Sequence, residues 1–166
     1  LLAFKGSSKP AVSWDVFKII ALQMIRIVKD VHDIGWLHRD IKLGNFCVHF
    51  EPGQSAKDRV LDNNTRLYII DFGLAVRQEE SEANPDIFVG SKAFSSLEVS
   101  LPFSHVYTQW DDLESVAYVL LALLANRPLP WITEGQTIER RNDVLSKKIK
   151  ALVRNIGVKV ALERSS

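Results

Sequence analysis

The sequence predicts an α+β domain that is predominantly helical and carries one small β-hairpin, and three observations support that expectation. Apolar residues recur at three- and four-residue spacing over 13–32. A second stretch, 112–125, is apolar nearly all round, and two short runs rich in β-branched and aromatic residues, 46–50 and 66–70, flank a turn-rich segment. With 46% hydrophobic and 25% charged residues among 166, the chain has the composition of one globular domain with a sizeable core.

The elements follow in chain order. Phe17, Ile20, Ala21, Met24, Ile27, Val28 and Val31 form one face of an amphipathic helix over 13–32, which Ser13 can cap and Gly35 can end. Trp36 and Leu37 lead into a polar run, 38–45, that reads as a loop. The two strand-like runs are separated by 51–65, where Pro52, Gly53 and Asp62-Asn63-Asn64 signal a long connection. Residues 71–94 lack periodicity, hold Glu79, Glu80, Glu82 and Asp86, and read as an extended loop with Pro85 and Gly90 as breakers. The apolar stretch 112–125 is expected to be a helix at the centre of the domain, because it falls short of the roughly 20 residues a membrane span needs and has Asp111, Asn126 and Arg127 beside it. A last amphipathic pattern over 138–156 carries Arg140, Arg141, Lys147, Lys148, Lys150 and Arg154 on a solvated face.

Lys plus Arg number 21 and Asp plus Glu 20, so a formal charge of +1 gives no global reason to expect nucleic acid or an anionic membrane as partner. One cysteine, Cys47, excludes an internal disulfide, and no charged-then-apolar leader opens these residues; a cytoplasmic or nuclear setting is the expectation. The start at Leu1, with Met24 the only methionine, reads as a piece of something longer.

The chemistry is concentrated in His38-Arg39-Asp40-Ile41-Lys42-Leu43-Gly44-Asn45, followed after the two strand-like runs by Asp71-Phe72-Gly73. This is the catalytic-loop and metal-loop pattern of protein kinases. Taken singly, each residue has a plain alternative: Asp40 capping a turn, Asn45 filling one, Lys42 as a solvated charge. Together they fix seven residue types, and at ~5% each the coincidence is on the order of one in a hundred thousand even with free placement. Phosphoryl transfer to a hydroxyl needs an acceptor for the hydroxyl proton, which Asp40 can be, and a positive charge where the phosphoryl oxygens gain charge, which Lys42 can supply. Magnesium prefers oxygen ligands, and Asn45 and Asp71 offer an amide oxygen and a carboxylate at two ends of the hairpin.

The chain resembles eukaryotic protein kinases and, within them, the casein kinase I-like group. Residues 12–40, with the Gln23-Met24 pair, are similar without gaps to that group's helix and catalytic loop. Tyr68-Ile69-Ile70-Asp71-Phe72-Gly73-Leu74-Ala75 is close to its metal-binding strand, and Asp111-Asp112-Leu113-Glu114-Ser115, Tyr118-Val119-Leu120 and Leu129-Pro130-Trp131 are similar to its central helix and following turn. The resemblance implies a kinase-like C-terminal lobe with the N-terminal lobe absent, the whole of 1–166 being a partial kinase domain. It implies ATP and Mg2+ as cofactors and protein Ser/Thr hydroxyls as substrate. By the same resemblance His38 and Phe72 pack in the hydrophobic spine, Gly73 completes the metal loop, and Asp112 accepts hydrogen bonds from the catalytic-loop backbone. Cys47 and Ile70 adjoin the nucleotide, and the Ser91 hydroxyl, after Gly90, bridges Asp40 and Lys42.

The chain also departs from the family pattern. Leu43 stands where a proline is usual, the hairpin connection is long, and the segment after Asp71 is short and acidic, with Val76-Arg77 and Lys92 in place of a richer basic set. Ser96-Leu97-Glu98 takes the place of the Ala-Pro-Glu motif. A Gly-rich phosphate loop, a strand lysine and its helix glutamate would be expected before Leu1, and Gly6-Ser7-Ser8 has the spacing of a linker instead. Two readings follow: a Ser/Thr kinase of which this fragment alone is inactive, or a non-catalytic pseudokinase or half-domain binding module.

Overall fold

The structure is a computed structural model that describes residues 13–49, 65–82, 88–101, 105–125, 129 and 131. The expected linker at 6–8, most of the hairpin connection and the basic helix over 138–156 lie outside the described residues.

Helix α1 spans Trp14–Asp33, and its start is set as the sequence suggests: Ser13 Oγ accepts a hydrogen bond from Val16 N (3.4 Å), with Asp15 in the first turn. Ile20, Met24 and Val28 on one face are fully buried. Each such side chain contributes on the order of 1.5–3 kcal/mol relative to exposure. Gly35, at φ +82°, turns the chain out of the helix in a conformation that favours glycine.

Strand β1, Trp36–Leu37, then pairs antiparallel with β4, Val76–Arg77, in the register Trp36 with Arg77 and Leu37 with Val76. The segment 71–94, expected to be an extended loop, thus contains a strand, and a 3-10 turn at Gln78–Glu80 follows it. Gln78 N donates to Gly35 O (2.9 Å) and Gln78 Nε2 to His32 O (3.1 Å), so this segment is tied to the end of α1 through backbone groups that no hydrophobic period reports.

Strands β2, Phe46–Val48, and β3, Leu67–Ile69, make the expected hairpin, with Cys47 opposite Tyr68. The loop before β2 closes in a 3-10 turn at Leu43–Asn45. Leu43 is buried in the core. Helix α2 is one short turn, Leu97–Ser100, capped by Ser96. Helix α3, Gln109–Ala125, starts three residues before the apolar stretch because its first turn is polar.

Ile20, Met24 and Val28 of α1, Phe46 and Leu67 of the hairpin and Val116, Val119 and Leu123 of α3 form one core with Ile41 and Leu43 of the loop. A smaller cluster joins Tyr118, Ala122, Leu129 and Trp131. Helix α3 is not enclosed on every side, since Leu121 and Leu124 are exposed. Among the described residues no helix is long and apolar enough to cross a membrane. The loop at 38–45 lies over the core, between α1, α3 and the hairpin.

Candidate active site

The polar run 38–45 is held from below by one carboxylate. Asp112, fully buried near the start of α3, accepts from His38 N at Oδ2 (2.8 Å) and from Arg39 N at Oδ1 (3.0 Å). Arg39 sits at φ +63°, a left-handed conformation that costs a side-chain-bearing residue roughly 1–2 kcal/mol, so the two bonds hold a strained turn. Tyr107 Oη donates to Asp112 Oδ1 (2.9 Å), and His32 Nε2 lies 2.9 Å from Oδ2. Burial and then the Asp112 charge push the Tyr107 phenol well above its ordinary range, which keeps it a neutral donor.

A second contact presses on the same turn. A Cβ on Gly90 would lie 2.3 Å from Arg39 O, and Gly90 has φ +96°, so only glycine lets 88–91 run against the loop backbone.

Above this support stands Asp40, itself buried. Its Oδ2 accepts from Lys42 Nζ (2.5 Å) and from Asn45 Nδ2 (3.1 Å), while Asn45 Nδ2 also donates to Asp40 O (2.8 Å). Both oxygens can only accept, which fixes the amide orientation and turns Asn45 Oδ1 away from Asp40. Among the described residues, no hydrogen bond involves Asp40 Oδ1 or Asn45 Oδ1.

His38 joins this loop to the hairpin. Its Nε2 donates to Ile70 O (3.2 Å) and its Nδ1 accepts from Asp40 N (3.3 Å), so the ring hydrogen is on Nε2. The Phe72 ring packs on it at 4.8 Å between centroids.

The hairpin brings the second acid to the site. Ile70 N donates to Asn45 O (2.9 Å), continuing the β2–β3 ladder, and Asp71 follows at φ +68°. Asp71 is exposed, with no hydrogen bond from another described residue. A Cβ on Gly73 would come within 3.3 Å of Asp71 Oδ1, so glycine leaves the carboxylate room. The uncommitted oxygens of Asn45 and Asp71 are a hard donor set that fits magnesium. They are few: among the described residues no three His, Cys, Asp or Glu side chains are grouped to hold a metal. That too suits magnesium, which keeps waters and substrate phosphates in its shell.

Asp40, Lys42, Asn45, His38, Ile70, Asp71, Phe72 and Gly73 therefore lie in one continuous array, with Asp112 beneath it. Half-buried Cys47 lies on β2 two residues beyond Asn45. Ser91 differs from its expected contact, because Lys42 reaches Asp40 directly and no hydrogen bond joins the Ser91 hydroxyl to either one. Sequence patterns gave no sign of Tyr107 or His32 as partners of Asp112. Nor did it reveal Asp111 as a hub, accepting from Ser96 Oγ (2.5 Å), Thr108 N (2.7 Å) and Thr108 Oγ1 (3.1 Å) and meeting His105 Nε2 at 3.0 Å. The adjacent acids at the foot of an apolar helix were the available signal, since two carboxylates there need partners.

The family model described as protein kinase domain matches residues 3–164. Casein kinase 1-like protein HD16 of Oryza sativa is 31% identical over 83% of this chain and 19% of its own length. A Caenorhabditis elegans protein named as a casein kinase I is 35% identical over 68% of this chain and 31% of its own. Serine/threonine-protein kinase spe-6 of Caenorhabditis elegans is 34% identical over 66% and 27% respectively. The chain belongs to the protein kinase family and is of its casein kinase I-like type. It spans under a third of the length of each of these three relatives.

Proposed function

We propose that the protein transfers the γ-phosphoryl group of ATP to Ser and Thr hydroxyls of protein substrates, and that these residues form the C-terminal-lobe part of that kinase. The observation that supports the reading most is the pairing of two unlike acids across the hairpin. Asp40 is buried and pinned through one oxygen, while Asp71 is exposed and unbonded among the described residues; Asn45, bonded to Asp40, accepts in turn from Ile70, the neighbour of Asp71.

In this reading Asp40 Oδ1 accepts the hydrogen bond of the substrate hydroxyl. As that oxygen forms its bond to the γ-phosphorus and the bond to the ADP oxygen breaks, the hydroxyl proton passes to Asp40. Lys42 stabilises the charge gathering on the phosphoryl oxygens, and its place two residues after Asp40 supports Ser/Thr over Tyr acceptors. Asn45 and Asp71 would hold Mg2+, which when bound neutralises phosphate charge. Cys47 and Ile70 border the nucleotide side. The Oryza and Caenorhabditis relatives, named as casein kinases and a Ser/Thr kinase, support the same acceptor class.

In the full-length protein, Asp40→Asn should slow transfer by about 10²–10⁴ while leaving the fold intact, as judged by circular dichroism and a peptide phosphorylation assay. Mass-spectrometric mapping should place phosphate on Ser and Thr. Equal rates for Asp40→Asn and the parent would end this reading in favour of a non-catalytic binding module.

A further inference from the structure

The β2–β3 hairpin lacks the usual source of register. In a tight hairpin the turn fixes which residues pair, but here residues 49–66 intervene between two three-residue strands. What β3 meets instead is one side chain of α1. Gln23 Nε2 donates to Thr65 O (2.7 Å), and Gln23 Oε1 accepts from Leu67 N (3.0 Å). One carboxamide thus binds a carbonyl and an amide two residues apart, as a neighbouring strand would, at the point where the long connection enters the strand.

We infer that Gln23 is a positioning residue: its carboxamide sets the register of β3 and thereby the place of Asp71 beside Asn45. The geometry makes the alternative specific. A slip by one residue would bring Tyr68 inward in place of the buried Leu67, advance Asp71 by about 3.3 Å and turn its carboxylate to the other face. The ladder opposing such a slip is short, running from the Asn45–Ile70 bond to the His49–Arg66 bond, whereas Gln23 is anchored in a helix whose neighbouring Met24 is fully buried. The metal end of the site is in this way referred to α1, which also packs against α3 and so shares a frame with Asp112. The register itself stands on geometry alone; its consequence for magnesium rests on the kinase reading.

Hydrogen exchange on the full-length protein tests the register without activity. Gln23→Leu should lower protection of the amides of 67–70 by about tenfold or more while α3 keeps its own. Gln23→Glu keeps the acceptor for Leu67 N but loses the donor to Thr65 O at neutral pH. Protonated in acid, near an ordinary carboxyl pKa of about 4.3, the new side chain can donate again, so its protection relative to the parent should recover. That acid rescue also serves if Gln23→Leu fails to fold. The magnesium concentration giving half-maximal ATP binding should rise about tenfold in Gln23→Glu at neutral pH. Unchanged protection of 67–70, or a loss spread equally over α3, overturns the inference. Lost protection with an unmoved magnesium requirement overturns the link to Asp71. A parent that binds no ATP with magnesium defeats the kinase reading, while exchange still decides the register.

Discussion

Asp112 and Asp71 are both aspartates of the site, and their surroundings are opposite. Asp112 is fully buried with two backbone amides, a phenol and an imidazole around its two oxygens. Asp71 is exposed on a left-handed turn, and no described residue bonds to it. A buried carboxylate is tolerated only when its lone pairs are taken, and one so taken can offer nothing to a ligand. An exposed carboxylate does little for stability and is free to coordinate. In the proposed kinase reading Asp112 acts on the fold and Asp71 on a ligand, with Asp40 between them, one oxygen bonded and, among the described residues, one free.

The largest effect expected from that contrast is on Asp112→Ala. His38 N, Arg39 N and the Tyr107 hydroxyl would lose their acceptor inside the protein, and a loss of about 3–5 kcal/mol should appear in urea unfolding of the full-length protein. A loss below about 1 kcal/mol would mean that the loop is held by something else and would break the comparison.

Tyr107→Phe sharpens it. A hydrogen bond to a charged group is worth about 1.5–3 kcal/mol, so the variant should be less stable by about that amount at neutral pH. The raised Tyr107 pKa adds a dependence with a definite sign. Below pH about 10 the phenol is protonated in folded and unfolded chains alike and its contribution is whole. Above that the unfolded chain gives up the proton and the folded chain does not, so stability falls as pH rises. The gap between parent and Tyr107→Phe should therefore narrow in alkali. Parallel stability curves from neutral to alkaline pH would count against the Asp112–Tyr107 bond.

The same contrast explains what could be read from the sequence. Helix α1 was legible to within a residue because Ser13, the apolar period and Gly35 act locally, and the grouping of Asp40 and Asn45 with the strand leading to Asp71 was legible because the motif fixes both residue type and spacing. The β1–β4 pair was not, for Trp36–Leu37 and Val76–Arg77 are too short to show alternation and gain their stability from each other across the fold. Tyr107 and His32 were hidden for a related reason. Each matters only because Asp112 lies beside it, and that proximity comes from α1 packing on α3. Gln23 was visible as one half of the Gln23-Met24 pair, but its role depends on a strand that begins more than 40 residues later.

The smallest effect on stability, and the most telling, belongs to Asp71→Asn. Asparagine tolerates the left-handed turn as well as aspartate does, and no hydrogen bond to a described residue is lost, so unfolding should shift by no more than about 0.5 kcal/mol. Magnesium-dependent ATP binding in the full-length protein should nevertheless weaken by about 100-fold, read by calorimetric titration with and without the metal. A variant several kcal/mol less stable would make Asp71 structural like Asp112 and erase the distinction. A stable variant that binds ATP and magnesium as the parent does would leave the distinction in place but remove Asp71 as a ligand, and Asn45 could not hold the cation alone. Only the pairing of an unmoved fold with a lost metal dependence assigns Asp71 to the ligand, because neither burial nor backbone strain predicts that combination.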